Sequence, residues 1–141
     1  MTQRNVVLFE CLAFGAPHWN DPAEAVQMAK SVTEALVREL EAGGGPCTVE
    51  PVAPHGTYGW EFFAVHGGTR IWCLLQRSDA WLLITEPRRA LVDRLHHSPF
   101  ETDHRIVCDA LDAAVRRLAG VTDVRWMTLE EFHAGSSRTR H

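Results

Sequence analysis

The stretch that decides the fold is Trp60-Glu61-Phe62-Phe63-Ala64-Val65-His66-Gly67-Gly68-Thr69-Arg70-Ile71-Trp72-Cys73-Leu74-Leu75. Its two halves are rich in the aromatic and β-branched residues that strands favour. The Gly67-Gly68 pair between them accepts the positive φ angles of a two-residue hairpin turn. The stretch therefore predicts two antiparallel strands, Tyr58 to His66 and Thr69 to Gln76.

A two-residue turn also fixes which residues face each other across this hairpin. His66 then pairs with Thr69, and Phe63 pairs with Trp72. Because side chains alternate between the faces of a strand, one face is entirely apolar, and we expect two long helices to cover it: Trp60, Phe62, Ala64, Ile71, Cys73 and Leu75. The opposite face is here called the second face, and it carries Glu61, Phe63, Val65, Arg70, Trp72 and Leu74.

The next strand, Trp81 to Thr85, extends the second face. A two-residue turn at Ser78-Asp79 would add two more apolar side chains to it. Contiguous apolar surface of this kind usually marks an interaction site, so we predict an interface of Phe63, Trp72, Leu74, Trp81 and Leu83. Three alternatives remain open for what covers this apolar surface: other segments of this chain (including a helix predicted at Pro87–Leu95), a second copy or another protein, and a small ligand.

The rest of the chain predicts strands and helices around this hairpin. Asp21 can cap a helix in which Pro22 takes the first position, and the glycines from Gly43 end it. Three more strands are predicted: one within Val6–Phe14, a short one at Thr48–Val52 and one at Val121–Met127. Proline limits the strand at Thr48–Val52 to an edge or irregular position. Two more helices are predicted, one at Thr102–Ala119 capped by Thr102 and one that begins with the capping box Thr128–Glu131.

This order of elements predicts the α+β class, with an antiparallel meander sheet of about four to five strands and two long helices packed on one face. The length of 141 residues suits a single domain. We predict that the domain covers residues 1–134 and that residues 135–141 form a frayed C-terminal tail.

Composition limits the partners. The chain has 14 basic and 18 acidic residues, whereas nucleic-acid-binding proteins usually show a basic surplus. No apolar run approaches the ~20 residues that span a bilayer. We therefore expect neither a nucleic-acid nor a membrane partner. The four cysteines lack close spacing, and three of them lie among apolar neighbours. Buried free thiols and a short N-terminal apolar run without the features of a signal peptide indicate a cytoplasmic protein.

The densest polar cluster runs from His96 to His104. Imidazoles and carboxylates are metal ligands, so the candidates for a metal site are His96, His97, Asp103 and His104. Adjacent histidines cannot both point the same way from regular structure, and no metal-binding motif is present. We predict a solvated loop followed by a capped helix, with no metal and no cofactor. No Gly-x-Ser-x-Gly motif occurs either, so we predict no catalytic residue.

In size, mild acidity and order of elements the chain resembles type III secretion chaperones and toxin-immunity proteins, two groups of small bacterial interaction proteins. This resemblance is one of layout and implies a protein that binds another protein. Our first hypothesis is a non-catalytic interaction module, chaperone-like or immunity-like, that self-associates through the second face as a homodimer or binds another protein. The alternative is a small-molecule-binding or metal-dependent enzyme that uses His55 with the cluster of histidine and aspartate residues in a cleft.

Overall fold

A computed structural model describes residues 4–11, 22–43, 45, 47–55, 59–77, 80–88 and 100–138. The elements in chain order are β1 (Val6–Cys11), α1 (Pro22–Ala42), β2 (Thr48–His55), β3 (Gly59–His66), β4 (Thr69–Arg77), β5 (Trp81–Arg88), α2 (Phe100–Arg116), β6 (Val121–Met127) and α3 (Leu129–Arg138). All strand pairs are antiparallel, and the sheet order is β2-β3-β4-β5-β1-β6. The α+β class is confirmed, but this sheet has six strands rather than four to five.

The β3–β4 hairpin has the register that its turn predicts. His66 pairs with Thr69, Phe63 with Trp72 and Trp60 with Leu75. The turn glycines Gly67 and Gly68 have φ angles of 60° and 83°, a region that side chains disfavour. The backbone freedom of these two glycines is therefore what fixes the faces of the central strands.

Helices α1 and α2 cover one face of the sheet, called here the helix face. Phe62, Ile71 and Leu75 of the hairpin are fully buried there. They share a core cluster with Leu118, which follows α2, and with residues of both helices: Ala29, Val32, Leu36, Leu40, Val107, Leu111, Ala114 and Val115. The predicted packing of the two long helices on one face is confirmed. None of the described helices has both the length and the apolar character needed to cross a bilayer.

Two indole groups tie these helices to the sheet. The Trp60 Nε1–H donates to the carbonyl oxygen of Val26 in α1 at 2.9 Å. The Trp126 Nε1–H of β6 donates to Asp112 of α2 at 2.8 Å. Each helix is thus held by a directional bond as well as by apolar packing.

The connection from β4 to β5 differs from the prediction. Arg77 pairs with Trp81 and Leu75 pairs with Leu83. Three residues, 78–80, therefore separate the paired ends of the two strands, whereas the prediction was a turn of two residues. A change of one residue in the register moves every side chain of a strand to the other face. Trp81 and Leu83 therefore lie on the helix face, where both are fully buried, and their predicted place on the second face is wrong.

Three other boundaries differ from the predictions. Strand β5 continues to Arg88, into the segment predicted as a helix at Pro87–Leu95, and residues 89–99 lie outside the described residues. Helix α2 begins at Phe100, so Thr102 lies inside its first turn instead of capping it. Helix α3 runs to Arg138, beyond residue 134. The predicted domain boundary at that residue stays a prediction.

The capping box at the start of α3 is confirmed. The Glu131 N–H donates to Thr128 Oγ1 at 3.1 Å, and the Thr128 N–H donates to Glu131 Oε1 at 3.1 Å. The bond from the Thr128 N–H to the carboxylate lowers the pKa of Glu131. The reciprocal pair satisfies donors that a helix N-terminus otherwise leaves open.

Both edge strands are irregular. The pairing of β2 shifts between Glu50 and Ala53, and Pro51 lies in that bulge because proline has no N–H to contribute to a ladder. The pairing of β6 shifts opposite Phe9, and Asp123 in the shifted stretch has a φ of 54°. Bulges and prolines make an edge a poor template for another strand. A face of the sheet is therefore better suited to binding than its edges.

Candidate functional site

The second face has a shielded part and an accessible part. Three of its apolar side chains toward the centre of the sheet are buried by the chain itself: Val6, Leu74 and Leu82. Toward β2, the side chains of Phe63, Val65 and Trp72 are only half-buried. This accessible part, with the polar side chains around it, is called here the aromatic patch and comprises His55, Glu50, Glu61, Phe63, Arg70 and Trp72.

Trp72 is held in the aromatic patch by two polar neighbours. Its Nε1–H donates to Glu61 Oε2 at 2.6 Å. The same oxygen lies 3.2 Å from His55 Nδ1, and the imidazole meets the indole edge-on at a centroid distance of 5.5 Å. One carboxylate oxygen therefore orients both rings, and the indole N–H is already satisfied.

Phe63, the cross-strand partner of Trp72, is held by a cation. The Arg70 guanidinium lies 4.1 Å from the centroid of the Phe63 ring. Its Nε–H donates to Glu50 on β2 at 2.8 Å. This contact is a cation–π interaction fixed by an ion pair. Both aromatic rings of the patch are thus presented in defined orientations.

The five predicted interface residues divide between the two faces. Phe63 and Trp72 lie in the aromatic patch. Leu74 shares the second face but is only 6% exposed, so the chain itself shields it. Trp81 and Leu83 lie on the helix face, as the β4–β5 register requires. The register predicts the positions of Glu61 and Arg70 on the second face, but not their contacts with the rings.

The predicted metal candidates do not form a cluster in the described residues. His96 and His97 lie outside those residues. Asp103 accepts a hydrogen bond from Thr69 Oγ1 at 2.7 Å, and its other oxygen lies 3.8 Å from His66 Nε2. Across the described ranges, no three His, Cys, Asp or Glu side chains converge to hold a metal ion. Asp103 instead attaches the first turn of α2 to the β3–β4 hairpin.

His104 belongs to a buried hydrogen-bond network. The Thr85 hydroxyl donates to the Asn5 carbonyl oxygen at 2.9 Å. Because a hydroxyl has one proton to donate, it accepts at its 2.8 Å contact with His104 Nε2, and that imidazole nitrogen carries the hydrogen. Burial lowers the pKa of His104. A neutral imidazole engaged in this way connects α2, β5 and the start of β1.

The described cysteines are free thiols, of which Cys11, Cys73 and Cys108 are buried and Cys47 is half-buried. Burial raises the pKa of Cys108 to about 11, and it raises the pKa of Cys73 and of Cys47 as well. The thiolate is the nucleophilic form of cysteine. These three thiols are therefore suited to packing rather than to nucleophilic catalysis.

Comparisons of the chain with protein-family models, with curated proteins and with solved structures found no match. The resemblance of layout to secretion chaperones and immunity proteins therefore stays a prediction. The geometry of the aromatic patch is the basis on which a function is proposed.

Proposed function

We propose that this protein is a non-catalytic interaction module that forms a homodimer through the aromatic patch. The observation that carries the proposal is the side-by-side placement of Phe63 and Trp72 on the face opposite α1 and α2. Both rings are half-buried in the single chain, and each is oriented by a charged side chain. Aromatic side chains of this kind are enriched at interface centres.

Preorganisation supports the proposal. Ordering a side chain on binding costs about 0.5–1.5 kcal/mol. The ring of Trp72 is ordered beforehand by Glu61, and the ring of Phe63 by Arg70. The irregular edges disfavour association by strand addition. A two-fold axis lets the same face meet itself, which is the commonest arrangement in oligomers.

The polar part of the aromatic patch supports a protein partner over a nucleic acid. Carboxylates of Glu50 and Glu61 lie at or beside the rings, and they would repel phosphate groups. We also propose a cytoplasmic location, because the described cysteines are all free thiols, which reducing compartments preserve. Fractionation of cells that express the protein tests the location.

Fewer observations support the alternative function, an enzyme. His104 and Asp103 are buried and engaged with Thr85 and Thr69. The thiols have raised pKa values. The aromatic patch does contain an imidazole beside a carboxylate, His55 and Glu61, but the described contacts there join it to Trp72 rather than to a nucleophile.

Sedimentation velocity tests the proposal. At about 100 µM, a dimer with a Kd at or below that concentration is detected. We expect the parent protein to be a dimer and Trp72→Glu to be a folded monomer, because the substitution places a charge in a desolvated centre. Leu129→Glu is the matched control, since Leu129 is 38% exposed and lies at the start of α3, outside the patch.

Circular dichroism and thermal unfolding show whether Trp72→Glu keeps the fold. Phe63→Glu is the second variant, because it removes the other ring of the aromatic patch without touching the Glu61 contact. A parent protein that is monomeric at this concentration would overturn the proposal. So would a dimer that survives in both folded variants.

A further inference from the structure

The two carboxylates of the aromatic patch have different ion-pair partners. Glu50 is paired with Arg70 at 2.8 Å, and a guanidinium is always charged. Glu61 is paired with His55, whose Nδ1 lies 3.2 Å from Glu61 Oε2. Within the described part of the chain, no lysine or arginine forms an ion pair with Glu61. Because histidine changes its charge between about pH 5 and pH 8, the pH decides whether this carboxylate has a positive partner.

We propose that His55 makes the homodimer sensitive to pH, so that two copies associate more tightly as the pH falls from 8 to 6. The inference rests on the proposed homodimer and adds its regulation. Association through the aromatic patch removes water from Glu61, and burying a charge is costly unless it is paired. Protonation of His55 supplies the opposite charge. The two-fold symmetry repeats this effect in the second copy.

The geometry lets the imidazole gain a proton without leaving the patch. Its Nδ1 lies against the carboxylate oxygen that also accepts from the Trp72 Nε1–H at 2.6 Å. Because that oxygen is an acceptor, Nδ1 of the neutral ring carries the hydrogen and donates it. The added proton goes to Nε2, so the contact between His55 and Glu61 is kept. The His55 side chain is 43% exposed in the single chain, and water reaches the ring before association.

The groups around His55 favour its charged form once the patch is covered. On the second face, Glu61 of β3 faces the imidazole, and Trp72 of β4 meets it edge-on at 5.5 Å. Glu86 of β5 lies beyond Trp72 as its cross-strand partner, and it is a second acid. Helix α1 also packs on β2, but it lies on the helix face, so the sheet separates it from the imidazole.

The direction of the pH dependence follows from proton uptake. A dimer that binds the proton of His55 more tightly than the monomer does becomes more stable as the pH decreases. We expect the dimer Kd to be at least about tenfold lower at pH 6 than at pH 8, because each dimer contains two such histidines. The net charge of −4 at pH 7 also becomes less negative over this range, which weakens general repulsion. A variant of His55 is therefore needed to separate the two effects.

His55→Gln isolates the contribution of the imidazole, because an amide gains no charge, and we expect its Kd to vary much less with pH. His133→Gln is the matched control. It removes one histidine from an exposed position of α3, outside the aromatic patch, and should keep the pH dependence of the parent protein. Glu61→Gln removes the carboxylate charge but retains an acceptor for the Trp72 indole. We expect it to dimerise more tightly than the parent protein at pH 8, with little dependence on pH.

Sedimentation velocity over a dilution series of the full chain gives the Kd at pH 8 and at pH 6, in salt of about 0.15 M. Circular dichroism at both pH values shows that each variant is folded. A parent dimer whose Kd is the same or higher at pH 6 would overturn the pH sensitivity alone. So would the full pH dependence in His55→Gln, or a Glu61→Gln dimer that is no tighter than the parent at pH 8. A parent protein that is monomeric at both pH values would overturn the proposed function as well.

Discussion

Phe62 and Phe63 are neighbours in the chain that lie on opposite faces of the sheet, so their replacement by alanine provides a matched test. Phe62 is fully buried in the core. Removing a buried phenylalanine side chain costs about 3–5 kcal/mol, because transfer free energy is lost and a cavity remains. Phe63 is half-buried, so we expect Phe63→Ala to cost about 1–2 kcal/mol, including the lost contact with Arg70.

Urea unfolding followed by circular dichroism measures this difference. It is done at a concentration low enough for the monomer, because association adds to apparent stability. With an m-value of about 2 kcal/mol per M, the midpoint should fall by about 1.5–2.5 M in Phe62→Ala and by less than about 1 M in Phe63→Ala. A loss below about 1 kcal/mol in Phe62→Ala, or the reverse order of the two variants, would refute the assignment of the faces.

Two further predictions concern the histidines. Burial lowers the pKa of His104 in the folded protein, so the unfolded chain binds a proton at this side chain more readily than the folded chain does. The free energy of unfolding is therefore highest above about pH 6.5, the ordinary pKa of histidine, and it falls as the pH decreases through the pKa of His104 in the folded protein. Urea midpoints between pH 8 and pH 5 should fall less steeply in His104→Gln, and an unchanged slope would count against a neutral buried imidazole. Protein purified without an affinity tag should contain no stoichiometric zinc, cobalt or nickel, as measured by elemental analysis. Stoichiometric metal that is found in the parent protein and is absent from a variant carrying both His97→Ala and His104→Ala would show that prediction to be wrong.

The sequence predicts which side chains share a face of the sheet where the length of the connecting turn is certain. Gly67-Gly68 permits a two-residue turn, and the observed register follows from it. The next connection is ambiguous, because polar residues around Ser78 can form a turn of two or of three residues. The run from Trp81 to Ile84 is apolar throughout and has no period of two that would reveal its faces. The positions of Trp81 and Leu83 therefore depend on a loop length that the sequence does not define.

The polar contacts of the aromatic patch are predicted only in part. The hairpin register places Glu61 and Arg70 on the same face as Phe63 and Trp72. The contributions of His55 and Glu50 depend on the pairing of β2 with β3, which shifts at a bulge. Bulges change the register in a way that residue periodicity does not reveal. Asp103 and His104 are adjacent in sequence, but they point in different directions from α2 and bind different strands.

The place of β1 in the sheet has a consequence for the order of folding. This strand lies between β5 and β6, and the bond from Asn5 to Thr85 joins residues 80 positions apart. During synthesis β1 leaves the ribosome before either of its neighbours, because residues 12–80 separate it from β5 and residues 12–120 separate it from β6. The meander from β2 to β5 closes through short connections and can form earlier, because loop closure over a longer stretch costs more entropy. Until β5 and β6 arrive, the nascent chain carries an unpaired apolar strand, which makes this interval the one most exposed to aggregation.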